Sequence, residues 1–385
     1  MAVPSLAPSA ARPRADRSRR DLSAPWRHVD VVLVVCVAAL AAIGVLMVFS
    51  ATRGPTDPPD RSFLVRQALF VTVGAAVMVA ATLVDYRRLR DWAWALYGTM
   101  MLGLLGVLSP LGQQSKGAQA WFGFGSFQVQ PAEFAKVVLI LTLAAVLAMW
   151  AGDIDLRRLA VLLGVSGAPM ALILLQPDLG TVLVLVSIVL GMLLVGGLRL
   201  RYIVALTLVG LIGVVGILNS NVLKQYQKDR LTAFLDPGRD TQGTTYNVTQ
   251  SQIAVASGGL TGEGLFDGRQ TQLRFVPEQQ TDFIFTAVGE ELGFVGAATV
   301  LGLYGVVMWR IWRTAQLSRD LLGTLLCVGV LSMLAFQVFE NVGMAMGIMP
   351  VTGIPLPLLS YGGSSTLTTF ASLGLVLNVH MRRFR

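Results

Sequence analysis

RFVPEQQTDFIFTAVGEELG, residues 274–293, joins a long polar loop to an apolar segment that continues to Trp309. The sequence turns from polar to apolar at Asp282, so a carboxylate lies at the start of a segment long enough to cross a bilayer. An ionisable group in such a place is costly and usually has a function. Asp282 is therefore the first candidate for a catalytic residue.

The composition indicates that the rest of the chain is also built for a membrane. Its 385 residues are 54% hydrophobic and 14% charged, and the mean hydropathy is +0.66. The net charge of +8 comes mainly from arginines clustered between apolar segments, a pattern typical of cytoplasmic loops and not of a nucleic-acid-binding surface. Because the chain has only two histidines, we expect any general acid or base to be a carboxylate.

The apolar segments predict an all-α polytopic membrane protein with about ten transmembrane helices. The excess of arginine in the short loops places both termini in the cytoplasm. Residues 1–28 are predicted to be a disordered basic tail, 29–381 the membrane domain and 382–385 a cytoplasmic C-terminus. The predicted spans cover residues 29–49, 68–84, 92–108, 131–150, 159–175, 179–197, 203–218, 282–309, 321–347 and 365–379.

Three polar stretches then face outward, at about residues 110–130, 220–281 and 348–364. The second stretch, between the seventh and eighth helices, is too long for a structureless loop, and we expect it to fold over the bundle as re-entrant or interfacial structure. The third contains three prolines and several glycines, and irregular backbone at membrane depth must be buried or line a cavity. It is predicted to form a wall of an outward-facing site.

Two short motifs place further charges near the outer ends of helices. In QPAEFAK, residues 130–136, Glu133 and Lys136 lie on one helical face. They form either a salt bridge that lets both charges enter the membrane or a site where Lys136 faces an anionic head group. In QPDLGT, residues 176–181, Asp178 either caps its helix or braces the site.

The long loop and the helix after it supply the remaining candidates. Arg230 and Arg274 are basic groups at the outer interface, where they either contact a pyrophosphate-bearing lipid or are ordinary surface charges. Helical periodicity aligns Asp282 with Thr286, Gly289 and Gly293, and turns Glu290 about 80° away, where we expect it to be paired within the bundle. The glycine-rich run 258–268 is only weak evidence for a phosphate site, because no strand and helix frame it.

The motifs resemble those of the SEDS family, the proteins of shape, elongation, division and sporulation. The matching motifs, in chain order, are QPAEFAK, QPDLGT, YNVTQSQIAVASGGLTGEGL, FVPEQQTDFIFTAVGEELG and GIPLPLLSYGGSS. The resemblance extends over nearly all of the chain after residue 29, and it is closer to the RodA-like rod-shape branch than to the FtsW-like division branch.

The resemblance implies a ten-helix peptidoglycan glycosyltransferase of the bacterial cytoplasmic membrane that polymerises lipid II with a class B penicillin-binding protein as its partner. It gives Asp282 the role of the essential carboxylate, and it adds Arg66 to Glu133, Lys136 and Asp178 as site residues. One departure is Ala120, which stands where the family commonly has an arginine.

The expected reaction is a single displacement with inversion. Asp282 accepts the proton of the acceptor's 4-hydroxyl as it attacks C1 of the donor, so one base is sufficient. Lys136, Arg66 and loop arginines then stabilise the leaving pyrophosphate, with or without a divalent cation such as Mg²⁺ whose protein ligands are unknown. The alternative functions are a lipid II flippase, for which a site near the midplane is expected, and a scaffold that only recruits a transpeptidase.

Overall fold

The computed structural model describes residues 28–53, 61–115, 118–125, 127–150, 154–219 and 244–383. A small antiparallel sheet, formed by β1 Gln113–Ser115, β2 Ala118–Phe124 and β3 Phe127–Val129, lies in the chain between the third and fourth helices. The helices are α1 Val31–Arg53, α2 Ser62–Leu83, α3 Tyr86–Leu108, α4 Pro131–Trp150, α5 Leu156–Leu175, α6 Leu179–Val195, α7 Leu200–Asn219, α8 Thr244–Ser257, α9 Arg269–Gln272, α10 Ile284–Gln316, α11 Leu321–Ala345 and α12 Gly363–Arg382.

Every predicted span coincides with a helix, and the all-α polytopic membrane fold is confirmed. Seven helices of the described chain are long and apolar enough to cross a membrane. Among the others, α6 has only 17 residues. The number of crossings therefore stays a prediction. The predicted tail, apart from its last residue, lies outside the described residues.

The bundle has a buried centre and an exposed periphery. Most side chains of α4, α11 and α12 are buried on all sides, as expected for helices that are surrounded by other helices. In contrast, α2, α3 and α5 bury only a few residues each, and we expect their exposed apolar faces to meet lipid. The central helices are thus the ones that can hold charged groups away from lipid.

Two of the predicted polar stretches contain regular structure, and the strands of the first one were not predicted. The strands of the first stretch pair Phe122 with Val129 and Trp121 with Gln113, and the tight turn between β2 and β3 contains Gly125 at φ 63°. Such short strands carry too little periodicity to be recognised. The described part of the second stretch contains α8 and α9, in agreement with the prediction that this stretch is folded.

The helix after Asp282 is not the continuous span that the sequence predicted. It begins at Ile284, and Gly293 interrupts it with φ 63° and ψ −163°, a conformation that is open almost only to glycine. The first half of α10 is buried from Ile284 to Glu291. A helix broken inside a membrane protein leaves backbone groups that must find partners within the protein.

The glycine-rich run 258–264 supplies these partners. Its backbone pairs with both sides of the break, and a side chain at Gly262 would collide with the carbonyl of Glu291 at 2.1 Å. Glycine is therefore needed here for close approach between two backbones. Four hydrogen bonds of 2.9 to 3.1 Å join the segments: Glu263 N to Glu290 O (3.0 Å), Gly264 N to Glu291 O (3.1 Å), Phe294 N to Gly259 O (2.9 Å) and Val295 N to Leu260 O (3.1 Å).

At the opposite end of the bundle, α12 satisfies the last carbonyl groups of α2. These carbonyls have no partners within their own helix, and a cation near them also interacts favourably with the helix dipole. The donors are Asn378 to Ala81 (2.6 Å) and Val84, and Arg382 to Thr82 (3.0 Å) and Leu83 (3.1 Å).

Ion pairs join further helices at this same end. Arg310 of α10 lies 2.7 Å from Asp30, which precedes α1. Arg87 of α3 lies 3.0 Å from Asp320, which precedes α11. At the end of the bundle opposite to Asp282, polar contacts therefore join six helices or their N-terminal caps.

Replacement of the glycine at the break tests this account of α10. Gly293→Ala places a Cβ 2.3 Å from the Gly262 nitrogen and forces alanine into a strained backbone conformation, so we expect a loss of about 2 kcal/mol or more. Thermal unfolding in detergent measures it.

The matched control is Gly302→Ala in the second half of the same helix. An added Cβ meets nothing within 4 Å there, so this variant is expected to gain about 0.5 kcal/mol from helix propensity. Equal stability of the two variants would contradict the proposed role of Gly293.

Candidate active site

Asp282 lies in the turn that leads into α10, one residue before the N-cap Phe283. Its side chain is half-buried at the mouth of the buried half-helix. Its amide donates to the carbonyl of Glu278 at 3.1 Å, and its carbonyl accepts from Nδ2 of Asn341 at 2.7 Å. Because Asp282 precedes the helix, its predicted helical alignment with Thr286, Gly289 and Gly293 is wrong.

A buried side-chain network supports this turn from below. Nε2 of Gln279 donates to the hydroxyl groups of Thr271, at 2.9 Å, and Thr286, at 3.0 Å. The Thr286 hydroxyl in turn donates to the carbonyl of Phe283 at 2.7 Å. Gln279, Thr271 and Thr286 are each at most 2% exposed, so the residues on both sides of Asp282 are fixed to the bundle interior.

Glu290 is one end of the same network. Its carboxylate accepts from the amides of Gln270, at 2.6 Å, and Thr271, at 3.0 Å, and from the Thr271 hydroxyl at 2.7 Å. It is fully buried, in agreement with the prediction that it is paired within the bundle. These contacts hold α9 against α10, and a role of Glu290 in bracing the site stays a prediction.

Glu291 holds the long loop to the first helix. Its carboxylate accepts from the Ser50 hydroxyl of α1 and from the amide of Phe266 at 3.2 Å. The ring of Phe266 stacks edge-on against Phe49 and lies beneath the Arg53 guanidinium, 5.3 Å from the ring centre. The two adjacent glutamates therefore hold two different segments, because they point to different sides of the helix.

Glu133 and Lys136 form the predicted salt bridge on α4. Lys136 Nζ lies 2.7 Å from Glu133 Oε1, and the residues are 1% and 4% exposed. The second oxygen of Glu133 is buried and has no hydrogen-bond partner among the described residues. The pair is present, whereas an interaction of Lys136 with an anionic head group stays a prediction.

Asp178 caps its helix, which is one of the two readings that the sequence left open, and its role in bracing the site stays a prediction. Oδ1 accepts from the amide of Thr181 at 2.9 Å, so Asp178 caps α6. Oδ2 accepts from the Thr181 hydroxyl at 2.8 Å and from Nε2 of Gln130 at 3.0 Å, which links α6 to the start of α4. Burial raises the pKa of the Asp178 carboxyl, and the hydrogen bonds from Thr181 oppose this rise.

The predicted arginines are more peripheral than Lys136. Arg66 is exposed on α2, next to the buried Gln67. Arg274 is exposed as well, and its Nη2 donates to the carbonyl of Thr52 at 3.1 Å. Arg230 lies outside the described residues. Ala120 is 1% exposed in β2, where an arginine would have to displace its neighbours.

The irregular segment between α11 and α12, residues 346–362, connects the two groups of site residues. The amide of Tyr361 donates to the carbonyl of Gln280 at 2.8 Å, beside Asp282. The hydroxyl of Ser364, just after the segment, accepts from the amide of Gln130 at 3.0 Å, beside Glu133. We call residues 346–362 the connecting segment. The prediction that it forms a wall of the site rested on its prolines and glycines, and it stays a prediction.

Sequence reasoning missed the amides that hold Asp282. Asn341 and Gln279 are buried, and each donates to two oxygens. A signal was present for Asn341, because Glu340 and Asn341 are adjacent polar residues within the apolar sequence of α11. Gln279 had no such signal, since it lies in a loop where polar residues are ordinary.

A metal site formed by protein side chains is not found in the described part of the chain. No group of three or more His, Cys, Asp and Glu side chains in residues 28–53, 61–115, 118–125, 127–150, 154–219 and 244–383 is arranged to hold an ion. The expected divalent cation such as Mg²⁺ therefore stays a prediction without assigned ligands.

The chain matches one sequence family over almost its whole length. The family is described as cell cycle protein, FtsW/RodA/SpoVE, and the match covers residues 30–384. Stage V sporulation protein E of Bacillus subtilis is 40% identical over 356 residues, which are 91% of this chain and 96% of that protein. Peptidoglycan glycosyltransferase MrdB of Escherichia coli is 35% identical over 358 residues, which are 92% and 94% of the two chains.

Solved structures share the fold. The rod shape determining protein RodA of Thermus thermophilus is 35% identical and has a TM-score of 0.70, with 94% of this chain and 99% of that chain covered. A chain of a peptidoglycan synthase complex that coordinates polymerization and crosslinking is 36% identical and has a TM-score of 0.77, with 93% and 99% covered.

The salt bridge on α4 can be tested by comparing the stability of a single variant with that of a double variant. Lys136→Met leaves the Glu133 carboxylate buried without its partner, so we expect a loss of about 3 to 5 kcal/mol in the free energy of unfolding. The double variant Glu133→Leu, Lys136→Met removes both charges and is expected to regain most of this loss. Thermal unfolding in detergent compares them. A double variant as unstable as Lys136→Met would contradict the pairing.

Proposed function

Because the chain belongs to the FtsW/RodA/SpoVE family, we propose that it is a peptidoglycan glycosyltransferase that polymerises lipid II. The single observation that carries the proposal is the placement of Asp282. A half-buried carboxylate lies at the mouth of a buried half-helix, and hydrogen bonds to Glu278 and Asn341 fix its backbone on both sides. Such a group is a suitable general base, since it is held in position and accessible from one side.

The reaction that this geometry supports is a displacement at the anomeric carbon. Asp282 accepts the proton of the GlcNAc 4-hydroxyl of one lipid-linked saccharide while that oxygen forms a bond to MurNAc C1 of the other. The bond from C1 to undecaprenyl pyrophosphate breaks, and the configuration at C1 inverts. One carboxylate is sufficient for this chemistry, and no covalent enzyme intermediate is required.

Cations near the site stabilise the pyrophosphate as it leaves. Arg66 and Arg274 are exposed and can approach an anionic head group from the membrane surface. Lys136 is buried, and its positive charge is compensated by Glu133 within α4. Its main role is therefore to stabilise the structure around the site. No step of the proposal depends on a bound metal ion.

The chain is a multi-pass membrane protein. We propose that it lies in the bacterial cytoplasmic membrane with both termini in the cytoplasm and Asp282 near the outer face. A class B penicillin-binding protein is the proposed partner, which agrees with the similarity to a chain of a peptidoglycan synthase complex.

The proposed role is elongation and rod shape. Relatives with names from sporulation, division and rod shape have comparable identities, so motif wording alone supports this choice.

A lipid II flippase is the alternative function. Alternating access requires the two ends of a bundle to open in turn. At the end opposite to Asp282, the contacts of Asn378 and Arg382 with α2 and the ion pairs of Asp30 and Asp320 would have to break in each cycle. These ties favour a protein with one open end, which is the geometry of an enzyme that acts at one membrane face.

Replacement of Asp282 tests the proposed base. Purified protein is incubated with labelled lipid II, with and without a class B penicillin-binding protein, and the products are separated by chain length on a gel. We expect Asp282→Asn to lower polymer formation by about 100-fold or more, because the amide cannot accept the proton.

Asp267→Asn is the matched control, since it removes one carboxylate from the same outer loop and Asp267 has no proposed role in the site. It is expected to polymerise at nearly the normal rate. Near-normal polymerisation by Asp282→Asn would contradict the role of this carboxylate. Absence of polymer from the unmodified chain, together with lipid II translocation in sealed vesicles, would favour the flippase.

A further inference from the structure

The side-chain amide of Asn341 joins two distant carbonyl groups. Asn341 is fully buried near the end of α11. Its Nδ2 donates to the carbonyl of Asp282 at 2.7 Å and to the carbonyl of Ile354, in the connecting segment, at 2.8 Å. Both partners can only accept hydrogen bonds, so the nitrogen and not the oxygen of the amide must face them. One NH₂ group thus uses both of its hydrogens.

These two carbonyls need a donor from another element. Asp282 precedes its helix, and Ile354 lies in irregular backbone, so neither carbonyl is part of a regular helical ladder. Unpaired backbone carbonyls are costly inside an apolar bundle because water does not replace the missing donor. Asn341 therefore supplies the hydrogen-bond donor that these two carbonyls need, in addition to its packing in the bundle.

The contact with Asn341 completes the fixing of Asp282. The peptide group before its Cα is held by the hydrogen bond from Asp282 N to Glu278 O, at 3.1 Å. The peptide group after its Cα is held by the hydrogen bond from Asn341, at 2.7 Å. With both flanking peptide planes fixed, the direction of the Cα–Cβ bond of Asp282 is fixed as well.

We propose that Asn341 is a positioning residue for Asp282, which aims the carboxylate and couples it to the connecting segment. The inference rests on the proposed function of Asp282 as general base. A catalytic group displaced by about 1 Å can cost roughly 100-fold in rate. Loss of Asn341 should therefore affect the chemical step and leave the binding of lipid II largely intact, because Asn341 is buried and does not contact substrate.

Asn378 offers a closely matched control at the opposite end of the bundle. It is also a fully buried asparagine, and its Nδ2 also donates to two backbone carbonyls, those of Ala81 and Val84. Its oxygen accepts from Arg382 at 2.7 Å, so its removal breaks at least as many hydrogen bonds. A purely structural role of Asn341 predicts the same consequences for the two asparagines.

The first measurement compares Asn341→Leu and Asn378→Leu in lipid II polymerisation by equal amounts of folded protein. Leucine has nearly the shape of asparagine and no donor. For Asn341→Leu we expect kcat to fall by about 10- to 100-fold while KM changes by less than about twofold. For Asn378→Leu, with a similar loss of thermal stability, we expect kcat to remain within about twofold of the unmodified chain. Equal kcat values for the two variants would overturn the proposal.

A second measurement does not depend on activity. Amide hydrogen exchange of the full chain in detergent is followed in peptides that cover residues 278–286 and 350–356. Asn341→Leu should accelerate exchange in both regions by about tenfold or more, whereas Asn378→Leu should accelerate it near residues 81–84 only. Unchanged exchange at 278–286 in Asn341→Leu would overturn the positioning role.

The two measurements also distinguish failure of the inference from failure of the proposed function. If the unmodified chain makes no polymer, or if Asp282→Asn polymerises normally, the function assigned to Asp282 is wrong, and the exchange data still decide whether Asn341 fixes its backbone. Asn341→Asp is a further check. It sets carboxylate oxygens against two carbonyl oxygens, so its exchange at 278–286 should be at least as fast as that of Asn341→Leu.

Discussion

Irregular backbone inside an apolar bundle must have its polar groups hydrogen-bonded by the protein itself, and the connecting segment is the clearest instance here. Buried side chains from several helices serve its carbonyls: Gln67 of α2 donates to Ser360, Tyr304 of α10 donates to Pro357, and Asn341 of α11 donates to Ile354. The helices α2, α10 and α11 are thereby attached to the same short stretch of chain. The arrangement of the bundle around Asp282 depends on these attachments.

The break in α10 follows the same rule with backbone partners. Gly293 ends the buried half-helix, and the glycine-rich run 258–264 pairs with the amides and carbonyls that the break leaves open. Glu290 and Glu291 then anchor the following residues of the loop. A loop of this kind cannot move independently of α10, so its position and that of Asp282 are set together.

The two ends of the bundle differ in their polar groups. At one end, charged and amide side chains pair with helix ends and with one another, which makes a closed and rigid base. At the other end, polar groups hold the backbone around a half-buried carboxylate and leave its side chain partly accessible. This asymmetry agrees with chemistry at one membrane face, where a fixed base supports a site that must bind and release long lipid-linked chains.

The amino-acid sequence was sufficient to predict the membrane fold, the approximate positions of the long apolar helices and the candidates Asp282, Glu133, Lys136 and Asp178, because long apolar runs and costly intramembrane charges are local properties of the chain. Only the tertiary structure decided where α10 begins and breaks, and which residues hold the site. The hydrogen bond from Asn341 to Asp282 joins residues 59 positions apart. Hydrogen-bond partners so far apart in the sequence depend on how the helices pack. No local sequence pattern shows which buried amide donates to which carbonyl.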